Sequence, residues 1–380
     1  MKILISREAL TTELSKIQGV VSQKSTLAIL SNALLVADGQ TLELHATDLD
    51  VTISTACECE VVEPGRVTLQ AKRLFDVVKN IRADEIELTT EANHYTQLKA
   101  GQVSARLPGM PAESFANIAN YDDLELHDLG TAQLMDMIEK TLFSISTDEG
   151  RPSLNGAFFR ATSSGGFSMI STDGHRLSRI ELAPPVDEEG NPILPEATPP
   201  AEVQRGVIIS RKGLSELKRT LDIAEKDLKF GLKDNNIVFR HGPATVSIRL
   251  IDGTFPDVDQ VLPRESETKA IIRRDDLIQT LKFVAVQAPP KTGNVRITFD
   301  TTECEIYTQD AEQGEARQVI PVEYDGSKVQ AGYNYKYLLD VLNVLNTEEI
   351  SMEIVDTLSP TMIRDANRDD LLFVVMPMRI

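Results

Sequence analysis

The string Ser171-Thr172-Asp173-Gly174-His175-Arg176-Leu177 sets a carboxylate and an imidazole two residues apart, the side chains a general acid–base pair requires. Little else in the chain supports catalysis. There are five histidines, at positions 45, 94, 127, 175 and 241, and none stands at HxH or HxxxH metal spacing. The chain has no GxSxG turn, no P-loop and no convincing GxGxxG, and Ser164-Gly165-Gly166 reads as a turn. A strand–turn–strand with a polar tip is the stronger reading of 171–177. An enzyme acting through Asp173 and His175 in a cleft stays open as an alternative.

Cysteine chemistry is equally sparse. Three cysteines make no disulfide framework. Cys57 and Cys59 alternate within STACECE, so on a strand they face one side with poor geometry for a bridge. No partner cluster for a metal lies near them, and both read as small strand residues, buried or half-buried. The C-terminus, Phe373-Val374-Val375-Met376-Pro377-Met378-Arg379-Ile380, is apolar almost to its end. Pro377 must stop a strand ladder there, and two methionines beside it offer an adaptable apolar surface.

A net charge of −19 argues against nucleic acid on average. The distribution says otherwise. Residues 71–83 hold Lys72, Arg73, Lys79 and Arg82 against Asp76, and 210–222 hold Arg211, Lys212, Lys218 and Arg219 against Glu216 and Asp222. Both segments have helical spacing, so two helices are locally positive in a negative chain.

These elements recur. Strand, helix and a run of alternating strands appear three times, at steps of roughly 120 to 140 residues, the size of ordinary domains. First helices begin near Arg7, Thr131 and Arg274, and second helices near Ala71, Arg211 and Asn334. The spacing predicts helices over 131–144, 211–222, 274–286 and 335–346. Boundaries fall near 127 and 265, giving domains 1–127, 128–264 and 265–380. The Pro- and Glu-rich stretch from Ala183 to Gly206 reads as a long exposed loop within the middle copy. Six half-units of one helix and several strands predict an α+β architecture with helices along one surface of the sheets. With 41% hydrophobic and 26% charged residues the chain has a soluble globular composition, and no run reaches the ~20 apolar residues of a membrane helix. MKILISREAL is no secretory signal, and the cytoplasm is the expected compartment.

Four strings in order, STDGHRL, SRKG, IDGTFPDVDQVLP and FVVMPMRI, together resemble the bacterial DNA polymerase III beta subunit (sliding clamp) family over the whole chain. The resemblance implies three tandem clamp domains that pair head to tail into a six-domain ring, with helices lining the inside and sheets outside. It implies a non-catalytic processivity factor without cofactor or metal, associated with the nucleoid. Its partners would be a second copy, double-stranded DNA without sequence preference, the replicative polymerase, a clamp loader and other proteins with a clamp-binding motif, and no membrane. By position, Ala105, Leu107 and Val286 should sit near the joint, with Gln287 a polar departure. Lys24, Lys72, Arg73, Lys79, Arg211, Lys212 and Lys218 should face phosphate, while Pro152 and Ser153 stand where the family often has aromatic residues. The peptide pocket should be walled by Leu154, Thr172, Gly174, His175, Arg176, Leu177, Pro256, Val261, Asn334, Tyr337, Leu358, Val374, Val375, Met376, Pro377, Met378 and Arg379. Gln260 and Pro360 depart from the family's usual residues at that wall. An acidic adaptor that binds peptides without encircling DNA is the remaining alternative.

Overall fold

The computed structural model describes residues 1–21, 27–184, 189, 198–225, 228–260, 262 and 268–379. Among them lie seven α-helices: α1 (Arg7–Ile17), α2 (Ala71–Lys79), α3 (Thr131–Thr141), α4 (Ala201–Arg205), α5 (Arg211–Thr220), α6 (Arg274–Ala285) and α7 (Tyr335–Val344). All but α4 follow a strand directly or within a few residues, as the half-unit reading requires. Local chemistry starts several of them. Ser6 accepts from the Ala9 amide at 3.5 Å, Ser210 from Gly213 at 3.1 Å and Asn334 from Lys336 at 2.9 Å, each satisfying an amide with no partner inside its helix.

Residues separate into two compact units. The first is built from Met1–Met135 and Ile209–Leu250. It contains a five-stranded sheet in the order Glu60–Glu63, Lys2–Ser6, Glu85–Thr90, Thr96–Ala100, Val103–Leu107. It also contains a nine-stranded sheet in which Val51–Glu58 pairs antiparallel with Ala244–Arg249, Ile53 opposite Val246. Helix α1 packs against both α2 and α5. Leu10, Leu14 and Ile17 of α1, Leu74 and Val78 of α2, and Leu214 and Leu217 of α5 are buried, on i, i+3/i+4 spacing.

The second unit comprises most of the remaining chain, including Ala201–Ile208 and the residues from Ile251 onward. Its nine-stranded sheet joins Phe167–Thr172 to Arg176–Leu182, then to Arg368–Val375 and Thr361–Asp365. Its four-stranded sheet runs Gly314–Pro321, Glu303–Asp310, Asn294–Phe299, Val329–Asn334, and α6 packs on its first two strands. The division between the units therefore falls inside the middle copy, because long-range strand pairing cuts across the order of the chain.

Three local expectations are corrected. α3 ends at Thr141 and continues as a 3-10 turn over Leu142–Ser144. α5 stops at Thr220, where Leu221 turns extended at ψ 135°. The 183–206 stretch is not all loop. Residues 201–205 form α4 with Val203 fully buried, and Gly206 ends it at φ +101°.

Candidate functional site

In the second unit the strand register builds an apolar row. Thr172 lies opposite Leu177, Leu177 opposite Val374, and Val374 opposite Met362. Side chains alternate across a sheet, so these share one face. Ile170 and Leu372 lie two residues along their strands and join the same cluster, which Leu154, Ile208, Phe255 and Val258 complete. Phe158 stacks on Phe255 at 5.2 Å between ring centroids. The opposite face meets the end of α3. There Ser171 Oγ donates to the Thr141 carbonyl at 2.7 Å, and Ser178 Oγ donates to that of Lys140.

At the sheet's end the Asp173–Arg176 turn is fixed by its own side chains. Asp173 Oδ1 accepts from the amides of His175 (2.9 Å) and Arg176 (3.1 Å). Thr172 Oγ1 accepts from Gly174 N at 3.0 Å and donates to the Arg176 carbonyl at 2.6 Å. Gly174 takes φ +88°, a backbone that suits glycine. The Arg176 guanidinium is the hub. Nε donates to Asp173 Oδ2 at 3.0 Å, Nη1 to Asp340 Oδ2 at 2.5 Å and Nη2 to the Phe143 carbonyl at 2.7 Å. It also lies 4.6 Å from the Tyr337 ring centre and 5.3 Å from that of Phe143, a double cation–π arrangement. The His175 ring stacks on Tyr337 at 6.2 Å. Burial, then the Asp173 carboxylate, pushes the Tyr337 phenol up. Asp173 is thus engaged by the turn and by Arg176, an arrangement that favours the polar-tip reading over an acid–base pair.

The chain's end closes this corner. Met376 N donates to the His175 carbonyl and Met378 N to that of Gly332, both at 2.8 Å. The ladder stops at Val375, two residues before Pro377. Met376 is 41% exposed and Leu358 70% exposed. Pro377 and Met378 are half-buried, and Pro256 and Arg379 are exposed.

Leu154, Leu177 and Val374 therefore share the apolar cluster, with Thr172 in its row, while Gly174, His175 and Arg176 form the adjoining turn. Val375 is a correction: it is fully buried opposite Arg176, on the face away from Leu177 and Val374, so it supports the wall from behind. The Asn334 side chain is occupied as the α7 cap. Val261 lies outside the described residues. Sequence reasoning missed Phe255, Val258, Met362 and Asp340. Alternation in Ile170-Thr172 and Leu372-Val374 hinted at an apolar outer face, but register alone brings in Met362.

The basic residues fall on α2 and α5 of the first unit. Lys72, Arg73, Lys79 and Arg211 are exposed and Lys218 is half-buried. Lys79 Nζ lies 5.6 Å from the Phe75 ring centre. Lys212 is exposed as well, and its ammonium donates to the Val20 carbonyl at 2.9 Å and to Asp48 Oδ2, tying α5 to the end of α1. Arg219 Nη1 holds the buried Glu216 at 3.3 Å, although burial still pushes that carboxyl up. Gly213 lets α5 lie close to its sheet, since a Cβ there would meet Ile248 Cγ2 at 2.3 Å. Lys24 lies outside the described residues.

Ala105 and Leu107 sit on Val103–Leu107, the edge strand of the five-stranded sheet. Leu107 is corrected inward: it is 4% exposed, packed in its own unit, while Ala105 is half-buried. Between them, Arg106 lies 4.0 Å from the Tyr95 ring centre and forks onto Glu91 at 2.6 and 3.2 Å, which holds the Glu91 carboxyl below its usual range. Val286, just past α6, is 70% exposed. Among the described residues no group of three His, Cys, Asp or Glu side chains is placed to hold a metal. Cys57 is half-buried, and burial pushes its thiol up to about 12. No described helix is long and apolar enough to cross a membrane.

Three family models match in order: the DNA polymerase III beta subunit N-terminal domain over residues 1–119, its central domain over 128–257 and its C-terminal domain over 259–379. The beta sliding clamp of Pseudomonas putida is 32% identical over the full length of both chains. Among solved structures, the DNA polymerase III subunit beta from Pseudomonas aeruginosa superposes with a TM-score of 0.87 at 31% identity, covering both chains completely. A sliding clamp from Bartonella birtlesii, bound to griselimycin, gives 0.90 at 28% identity, again over both whole chains.

Proposed function

Because the chain belongs to the DNA polymerase III beta subunit family, the bacterial sliding clamps, we propose that two copies close head to tail into a ring that encircles duplex DNA and slides along it. The observation that carries this reading is the pair of cationic helices α2 and α5, both packed against α1 in a chain of net charge −19. Lys72, Arg73, Lys79, Arg211 and Lys218 face the phosphates; Lys24 belongs to the same set by family position. Such contacts carry no base information, so binding is sequence-independent and steeply salt-sensitive. Processivity then comes from topological linkage and needs no active site.

The three domains span 1–127, 128–264 and 265–380, and the family matches at 1–119, 128–257 and 259–379 support that partition. Six such domains form the ring, with helices inward and edge strands paired across two equivalent joints near Ala105 and Val286. The polymerase, the clamp loader and other partners dock short peptides with Leu and Phe anchors in the cleft around Leu154, Thr172, Leu177, Val374 and Met376, beside the Gly174–Arg176 turn. The work is done in the cytoplasm, at the nucleoid.

Retention on circular against linear DNA tests the reading. A ring loaded on nicked circles stays bound and runs off once the circle is cut. Equal retention on both would sink it.

A further inference from the structure

The first unit repeats the turn that edges the cleft of the second. Thr47-Asp48-Leu49-Asp50-Val51 matches Thr172-Asp173-Gly174-His175-Arg176 bond for bond. Asp48 Oδ1 accepts from the amides of Asp50 (3.1 Å) and Val51 (2.7 Å). Thr47 Oγ1 accepts from Leu49 N at 3.0 Å and donates to the Val51 carbonyl at 3.1 Å. Leu49 takes φ +83° where Gly174 takes +88°, a left-handed backbone that a bulky side chain seldom adopts. The strand rows beyond the two turns also correspond. Thr47 lies opposite Thr52, Thr52 opposite Ser247, Ser247 opposite Val238 and Val238 opposite Gly231. The row that is Leu177, Val374 and Met362 in the second unit is thus the more polar Thr52, Ser247 and Val238 in the first. A strap of the chain itself, residues 120–125, crosses this row. Tyr121 Oη lies 2.7 Å from Ser247 Oγ. Lys233 Nζ donates to the Asn120 carbonyl at 2.8 Å, and Arg240 donates to that of Tyr121. Gly231 leaves room for the strap's far end, since a Cβ there would meet the Glu125 carbonyl oxygen at 2.4 Å and Leu124 Cγ at 2.9 Å. Between these anchors Asp122 and Asp123 are 85% and 84% exposed, each 3.8 Å from its cation, Arg240 and Lys233 respectively.

We propose that this row is a second peptide-docking face, closed by the chain's own strap, and that its external ligand is an acidic peptide of the strap's chemistry: a tyrosine, two carboxylates and a leucine. The proposal rests on the peptide-docking reading of the second unit, whose corner the first unit reproduces. The contacts that seat the strap define the ligand. Ser247 takes a phenolic hydroxyl, Lys233 and Arg240 take main-chain carbonyls and negative charge, and Gly231 admits a backbone that passes close to the sheet. An apolar peptide finds no matching wall here, because Thr52 and Ser247 stand where the second unit has Leu177 and Val374. The strap is held weakly. Its two ion pairs are long and its carboxylates face water, and such pairs contribute little. Its advantage over an external peptide is tethering, which gives a short linked segment an effective concentration on the order of millimolar. Loss of its anchors therefore opens the face.

A fluorescent peptide with the sequence of residues 119–126, titrated against the full chain, tests this. The double variant Tyr121→Ala, Leu124→Ala loosens the strap and should bind the probe at least about tenfold more tightly than the parent does, at one peptide per chain. Tyr121→Phe removes only the hydroxyl and should give a smaller gain in the same direction, so the result does not hang on the folding of the double variant. Lys233→Ala and Arg240→Ala, added to the loosened strap, should reverse the gain. A saturating peptide with Leu and Phe anchors should leave the probe's affinity unmoved. Equal probe affinity for the parent and both strap variants, a gain that survives Lys233→Ala and Arg240→Ala, or displacement of the probe by the Leu and Phe peptide would each overturn this proposal. A chain that binds the probe as expected but no Leu and Phe peptide would overturn the docking reading of the second unit instead.

Discussion

Arg176 and Asp340 are joined by a 2.5 Å hydrogen bond between Nη1 and Oδ2, which fastens the turn before strand Arg176–Leu182 to helix α7. The guanidinium is 11% exposed and the carboxylate 44%, so the pair sits at the boundary of the solvent. Its contribution is positional. It holds the arginine between Tyr337 and Phe143, and with it the His175–Tyr337 stack.

Asp340→Ala leaves a half-buried cation with one carboxylate partner, Asp173. Releasing one charged hydrogen bond costs about 1–3 kcal/mol. The expected result is a roughly tenfold loss of affinity for a fluorescent peptide with Leu and Phe anchors. Dimer sedimentation should be unchanged. Peptide affinity equal to the parent's would remove Arg176 from the cleft's working parts.

On the cationic helices Lys212 is exposed yet also ties α5 to Asp48 and to the Val20 carbonyl. Replacing Lys72, Arg73 or Arg211 by Ala should weaken DNA binding across all sequences and reduce the slope of log K against log salt by about 0.9 for each phosphate no longer neutralised. Lys212→Ala should instead lower the unfolding temperature, because it removes the tie between Asp48, Val20 and α5. Titrations at several salt concentrations, paired with thermal melts, separate the two effects.

Gly213→Ala puts a methyl group 2.3 Å from Ile248 Cγ2. The helix must shift or the isoleucine must leave its rotamer, an overpacking that costs about 1–3 kcal/mol. Chemical denaturation should show a lower midpoint. An unchanged midpoint would mean that α5 moves freely on its sheet.

Asp370 gives a pH signature. The Arg368 guanidinium, bonded at 2.9 and 2.6 Å, holds its carboxyl below the usual carboxylate range. A depressed carboxyl stabilises the native state above its unfolded pKa of about 3.9, and the benefit is lost as pH falls through the lowered native value. Asp370→Asn should therefore be less stable than the parent at neutral pH, and the gap should close in strong acid. A melting-temperature difference that does not change with pH would rule out the linkage.

What the sequence determined was local. Ser6, Ser210 and Asn334 mark helix starts because a side-chain oxygen can satisfy a nearby amide without help from distant residues. Leu214 and Leu217 reveal a buried stripe because helical geometry alone puts them on one face. The Asp173–Arg176 turn was legible for the same reason. Tertiary structure decided everything that depends on register and on partners far along the chain. Lys212 reads in the sequence as one more cation of a basic helix, and only folding places Asp48 against it, 164 residues away. Val375 looked like pocket wall until its strand paired with Arg176–Leu182, which turned Val374 outward with Leu177 and Val375 inward. Composition records how many charges and apolar groups a chain carries; only the paired sheets fix which of them meet.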